Sequence, residues 1–269
     1  MKFNLKQLLA VATAATTLIL AGCGEDTAKT NSIKLGVMAG AEAQVAEVAK
    51  QVAKEKYNLD VELVTFTDYV TPNAALDDGS VDINAFQHKP YLDQQIADRQ
   101  YKLAIAGNTF VYPIAAYSNK IKSVDELAEG DRIAVPNDPT NLGRSLLLLE
   151  AQGIITLKEN VGLQATVRDV VANPKNIEIV ELEAAQLPRS LDDVTLAIIN
   201  NTFDSQLDLT PQKDGIFVED KESPYVNLIV AREDNVNSEN VQNFVKAYQT
   251  EAVYEKAQEI FKGGVVKGW

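Results

Sequence analysis

Ile33, Leu35 and Val37 alternate with polar or small residues, Val45, Val48, Ala49 and Val52 then recur at helical spacing, and residues 61–66 return to a strand-like run. A period of two, a helical period and a second strand signal spell β-α-β. Parallel neighbours need a crossover of about this length, so the opening predicts parallel strands with helices packed on them. The alternation continues, with residues 81–86 as a strand, 90–97 as a short helix, and 102–117 as a strand-rich passage containing Gly107, Asn108 and Pro113. Ser123 and Glu126 have the spacing of a capping box and predict a helix behind them. A short strand over 132–135 runs into Pro136-Asn137-Asp138-Pro139-Thr140-Asn141, where Asp138 before Pro139 opens a helix over 142–152 closed by Gly153. Further strands are expected at 177–182, 195–199 and 226–231, and two helices near 241–248 and 253–261 end the chain. The pattern is α/β, with two parallel sheets.

The first 22 residues stand apart from that pattern. Two lysines and no acid precede an uncharged apolar run over 8–20, shorter than the roughly 18 to 20 residues that cross a bilayer. The run ends in Leu20-Ala21-Gly22-Cys23, which matches a lipoprotein signal over 1–22 that is cleaved to leave Cys23 as the acylated N-terminus. Cys23 is the single cysteine of the chain, so no internal disulfide competes for it. Several acyl chains hold a soluble domain to a membrane where one does not. Residues 23–31 read as a flexible tether, and folded chain is expected from Ser32.

Charge removes some function classes. The formal net charge is -13, and cleavage takes Lys2 and Lys6 with it to leave -15. Nucleic acid and anionic lipid are poor partners for such a chain. One histidine, His88, and no mature free thiol leave no serine or cysteine catalytic set, and no phosphate loop or zinc-protease helix is present. A lone imidazole among scattered carboxylates also argues against a metal site, and nothing calls for a cofactor.

The candidate chemistry is that of binding. Asn141 and Arg144 share one face of the helix opening after Pro136, where unpaired N–H groups and the helix dipole attract an anion and an arginine can fork onto a carboxylate. From spacing alone, a surface arginine is the commoner explanation of Arg144. Tyr69, Phe86, His88 and Tyr91 form an aromatic group where strands give way to loops, either as core packing or as the wall of a ligand pocket. Asn200 closes an apolar strand at its carboxyl end, the usual ligand side of an open α/β sheet, whereas Asn227 lies inside a strand and its amide needs partners.

Phe86-Gln87-His88-Lys89-Pro90-Tyr91, the run from Pro136 to Arg144, Lys213-Asp214-Gly215-Ile216, Ser223-Pro224-Tyr225-Val226-Asn227 and Gly263-Gly264-Val265-Val266-Lys267-Gly268-Trp269 resemble the methionine-binding lipoproteins of the NlpA type over nearly the whole chain. That resemblance implies a bilobal periplasmic-binding-protein fold of type II, with lobe 1 over 32–111 plus 231–269, lobe 2 over 112–230, and a ligand cleft between them. It implies capture of methionine, taken as the L form, and delivery to the membrane subunits and ATPase of an ABC importer. The chain is then a monomeric, lipid-anchored protein of the cell envelope and not an enzyme. By the same resemblance Arg144 pairs with the ligand carboxylate and Asn141 supports it. Asn200 and Asn227 hold the amino and carboxylate groups, and Tyr69, Phe86, His88 and Tyr91 enclose the thioether. The family more often has one asparagine where this chain has Asn200-Asn201, which leaves open which of them faces the cleft. A surface adhesin or host-contact role, or binding of a methionyl peptide, are the alternatives.

Overall fold

The opening alternation folds as β1 (Ser32–Met38), α1 (Ala41–Tyr57) and β2 (Asp60–Phe66), with β2 parallel to β1 from Ser32 opposite Asp60 to Met38 opposite Phe66. Val45, Ala49, Val52 and Ala53 bury one stripe of α1, and the helix stops at Asn58 in the left-handed conformation, where a short polar side chain tolerates positive φ. The computed structural model describes residues 31–220 and 223–269. The signal segment 1–22, Cys23 and the tether up to residue 30 lie outside the described residues.

The chain continues through α2 (Thr71–Asp77), β3 (Ile83–His88), α3 (Lys89–Arg99) and β4 (Leu103–Val111), then enters a second sheet. There it forms β5 (Ala115–Tyr117), β6 (Arg132–Pro136), α4 (Pro139–Ala151), the paired short strands β7 (Thr156–Leu157) and β8 (Val170–Ala172), and β9 (Glu178–Leu182). The short α5 (Leu187–Ser190), β10 (Leu196–Ile199), α6 (Asn201–Asp204), α7 (Pro211–Asp214) and β11 (Phe217–Val218) complete that part. It returns along β12 (Val226–Arg232), α8 (Glu239–Tyr248), α9 (Glu251–Ile260) and β13 (Val266–Lys267). The sheet orders are β13-β4-β12-β3-β1-β2 and β11-β5-β10-β6-β9.

Three expectations need correction. Both sheets are mixed: β3 is parallel to β1, but β12 runs antiparallel to β3 and β4, and β5 runs antiparallel to β10 and β11. β4 and β12 are joined through the whole second sheet, and a strand returning that way is free of the local crossover that imposes parallel order. β12 also lies in the first sheet throughout its length, so a change of lobe at Val230 would cut a strand, and the return precedes Val226. Behind Ser123 there is one 3-10 turn over Val124–Glu126 in place of a longer helix, because the backbone turns extended at Leu127.

Each sheet has its own core. Leu35, Val45, Ala49, Phe110, Ile229 and Phe244 pack the first under α1 and α8, and Ile133, Val135, Leu146, Leu149 and Ile198 pack the second under α4. A further cluster joins them, with Met38, Phe86 and Tyr91 from the first part against Ala134, Leu187, Ile199 and Phe203 from the second. The functional question lies at that junction.

Candidate functional site

Asp138 caps α4 by accepting the Asn141 N–H at 2.9 Å, and Pro139 supplies the preset φ of a first helical residue. One turn on, Gly143 lets the chain pass close: a Cβ there would stand 2.2 Å from the Leu163 carbonyl oxygen. This covered second turn carries Arg144, which is 4% exposed. Its Nε donates to Glu219 at 2.8 Å, and its Nη2 donates to the Tyr112 carbonyl at 3.0 Å and also pairs with Glu219. The guanidinium carbon lies 4.3 Å from the centre of the Tyr225 ring. These contacts engage three of the five guanidinium donors and leave the two on Nη1.

Arg144 lines a pocket between the two sheets. Tyr69, Phe86, His88, Tyr91 and Asn227 face it from the first part, and Asn141, Arg144 and Asn200 from the second, so all eight candidate residues border one space. Gln87, Tyr112, Asn201 and Thr202 also line it. Sequence reasoning missed Gln87, Tyr112 and Thr202, together with Glu219 and Tyr225 behind Arg144, and held Asn201 open against Asn200. The doubled asparagine was the one available signal, and both of its members reach the pocket.

The lining holds one cation and no carboxylate. Three acids instead stand behind it, each bonded to a wall residue: Asp138 to Asn141, Glu219 to Arg144 and Glu42 to Thr202. Asn141 donates its amide to Asp138 at 2.9 Å, which turns its oxygen toward His88 Nε2 at 3.2 Å and Asn200 Nδ2 at 3.0 Å. It thus sets the orientation of other pocket groups, and its side-chain atoms are engaged within the protein. Asn227 donates to the Phe86 carbonyl at 3.2 Å.

His88 caps α3, its Nδ1 accepting the Tyr91 N–H at 3.2 Å, so its proton sits on Nε2 and is donated to Asn141. Burial, and then the nearby Arg144 charge, depress its pKa from 6.5 to about 3. A depressed folded-state pKa means stability that is complete above pH 6.5 and is lost as pH falls toward 3. Because the chain has one histidine, a tag-free sample gives one imidazole Cε1–H resonance. That resonance is expected to hold its neutral-form shift from pH 8 down to pH ~4. A titration midpoint near 6.5 would show an exposed ring instead.

The aromatic wall is closely built. Tyr69 lies 5.9 Å from Phe86 and 5.0 Å from Phe203 across the gap, and Phe86 meets Tyr91 edge-on at 5.9 Å. Both tyrosine hydroxyls are used within the protein, Tyr91 donating to the Tyr69 carbonyl at 2.7 Å and Tyr69 to Thr202 at 2.8 Å, so the rings offer apolar faces. The opposite wall has spare polar capacity: Asn200 Oδ1 and both side-chain polar atoms of Asn201 are buried without a partner. Such groups cost stability unless something pairs with them. Among the described residues no group of three or more His, Cys, Asp or Glu side chains is placed to hold a metal, and no helix is long and apolar enough to cross a membrane.

The profile of the NlpA lipoproteins matches residues 33–269. Over the full length of both chains, this one is 76% identical to the probable D-methionine-binding lipoprotein MetQ of Vibrio cholerae. A crystal structure of the methionine-binding protein MetQ superposes with a TM-score of 0.88 at 70% identity, covering 89% of this chain and 99% of that one. A nutrient-binding protein from Burkholderia cenocepacia bound to methionine superposes with a TM-score of 0.86 at 48% identity, covering 88% and 100%. A match that runs through both sheets and the whole pocket leaves one conclusion about kinship: this chain belongs to the NlpA lipoprotein family.

Proposed function

We propose that this chain captures methionine between its two parts and hands it to an ABC importer. The observation that carries the reading is the pairing of buried, unpartnered polar atoms, the Asn200 oxygen and both amide atoms of Asn201, with a facing wall of Tyr69, Phe86 and Tyr91. A zwitterion with a thioether tail answers both. The carboxylate takes the two free donors on Arg144 Nη1, whose fork is held in place by Glu219, and the amide oxygens accept from the ammonium. The polarizable sulfur gains from ring contact with Tyr69, Phe86, His88 and Tyr91, and Asn227 stands with Asn200 for the polar end. Asn141 acts by holding His88 and Asn200 in register.

In this reading the six-stranded part and the five-stranded part are the two lobes, closing by hinge motion around residues 111–112 and before Val226. Cleavage before Cys23 and acylation of its thiol hold the monomer to an envelope membrane, where it meets the importer's membrane subunits and their ATPase. The chain itself catalyses no reaction.

Calorimetry with each enantiomer tests the ligand, since several relatives are named for D-methionine. One methionine is expected per chain, bound at least about 100-fold more tightly than alanine, because the side-chain atoms beyond Cβ fill the aromatic wall. Failure to bind either enantiomer, with no extra mass on gently purified protein, would refute the proposal.

A further inference from the structure

Glu42 lies in the first turn of α1, is 3% exposed, and belongs to the six-stranded part. Its partner is on the other side of the gap: Thr202 of α6 donates its hydroxyl proton to Glu42 Oε1 at 2.5 Å and accepts from the Tyr69 hydroxyl at 2.8 Å. Thr202 lines the pocket next to the unpartnered Asn201. Opening the gap separates Thr202 from both partners and admits water to the carboxyl.

We infer that Glu42 is a positioning residue for ligand capture, a carboxyl that holds Thr202 and the adjoining asparagines in the closed pocket and takes up a proton as the gap closes. The inference rests on the methionine reading and adds a linkage to it. Among the described residues no cation is bonded to Glu42, whose carboxyl meets Thr202. The titratable groups its charge reaches are Tyr69, after β2, Tyr112, after β4, and Tyr248, ending α8. Burial raises all three phenols, so they stay neutral. Across the gap, Asp138 and Arg144 act on the same Tyr69 hydroxyl with opposite sign. Burial raises Glu42 from 4.5 to about 7, against the Thr202 bond, which lowers it. Its place near the start of a helix also favours the ionised form.

A carboxyl raised by closure favours the closed state at low pH, and that advantage is lost as pH rises from 4.5 through about 7. His88 has the opposite linkage, since closing holds its ring neutral and releases a proton below pH 6.5. The unaltered chain therefore shows the sum of two opposed terms, and Glu42→Gln, which keeps the acceptor for Thr202, separates them. We expect the ratio of wild-type to Glu42→Gln dissociation constants for methionine to rise on the order of 100-fold between pH 4.5 and pH 8. In calorimetry with buffers of differing ionisation enthalpy at pH 6.5, the wild type should take up between about half and one proton more than the variant. Parallel affinity profiles and equal proton counts overturn the inference. Should Glu42→Gln fail to fold, Thr202→Val breaks the contact from the other side. Its pH dependence should move to higher pH, because the hydroxyl bond that lowers the carboxyl is gone, and an unmoved profile overturns the inference. An unaltered chain that binds no methionine at any pH overturns the ligand reading and this inference together, an outcome distinct from parallel profiles.

Discussion

Arg144→Ala is expected to weaken methionine capture by tens to thousands of fold, the equivalent of about 2 to 5 kcal/mol. The magnitude follows from burial: at 4% exposure, water cannot replace the lost donors, so the ligand carboxylate is left in a dry cleft. The same change strands Glu219, whose side chain is 13% exposed, and breaking such a pair costs stability of about 3 to 5 kcal/mol at the buried limit. Two further variants separate the effects. Arg144→Lys keeps the charge but loses the planar fork, and should bind poorly while disturbing Glu219 less. Glu219→Gln leaves every guanidinium donor in place and removes the compensating charge, so it should retain capture far better than Arg144→Ala. Calorimetry beside thermal unfolding reads both. An Arg144→Ala protein that folds and binds methionine with unchanged affinity would leave Arg144 as the partner of Glu219 and of no ligand.

How much of this was legible in the chain depends on how far apart the interacting residues are. The start of α4 was readable because Asp138, Pro139 and Asn141 are neighbours whose cap geometry is local. The exit from β3 into α3 was readable from the change of pattern around Pro90, but the cap that His88 supplies there was not. What periodicity does not carry is pairing over distance. Glu219 meets Arg144 across 75 residues and Glu42 meets Thr202 across 160, and neither contact leaves a repeat or a spacing in the sequence. The antiparallel course of β12 was hidden likewise, since strand direction is set by the route through the second sheet and not by the pattern within Val226–Arg232. The Ser123 signal failed in the other direction: the cap residue bonds as expected, but a cap cannot extend a helix when the following residues turn away. The resemblance to a family supplied the joint placement of the eight candidate residues, which composition and spacing had left as separate alternatives.

Asn201 shows why binding residues are hard to find by seeking stabilising contacts. It is 2% exposed, and its amide nitrogen and oxygen have no partner among the described residues, whereas neighbouring Asn200 is at least held by Asn141. An unpaired buried polar group costs about 1 to 3 kcal/mol, which a bound zwitterion offsets by pairing with it. Asn201→Ala is therefore expected to act with opposite signs on folding and on capture. Without ligand the variant should melt no lower than the parent, and higher wherever the removed polar atoms outweigh the small cavity left behind. With ligand at about 100 times the parent dissociation constant, the parent gains about 2.7 kcal/mol, a rise of roughly 5 to 10 °C for a chain of this size. If the substitution weakens binding about 100-fold, the same ligand concentration raises the variant's midpoint by only about 1 °C. Paired melting curves with and without methionine decide the matter. A variant several degrees less stable when empty, yet showing the full methionine shift, would make Asn201 a structural residue and move the ligand's polar end toward Asn200 alone.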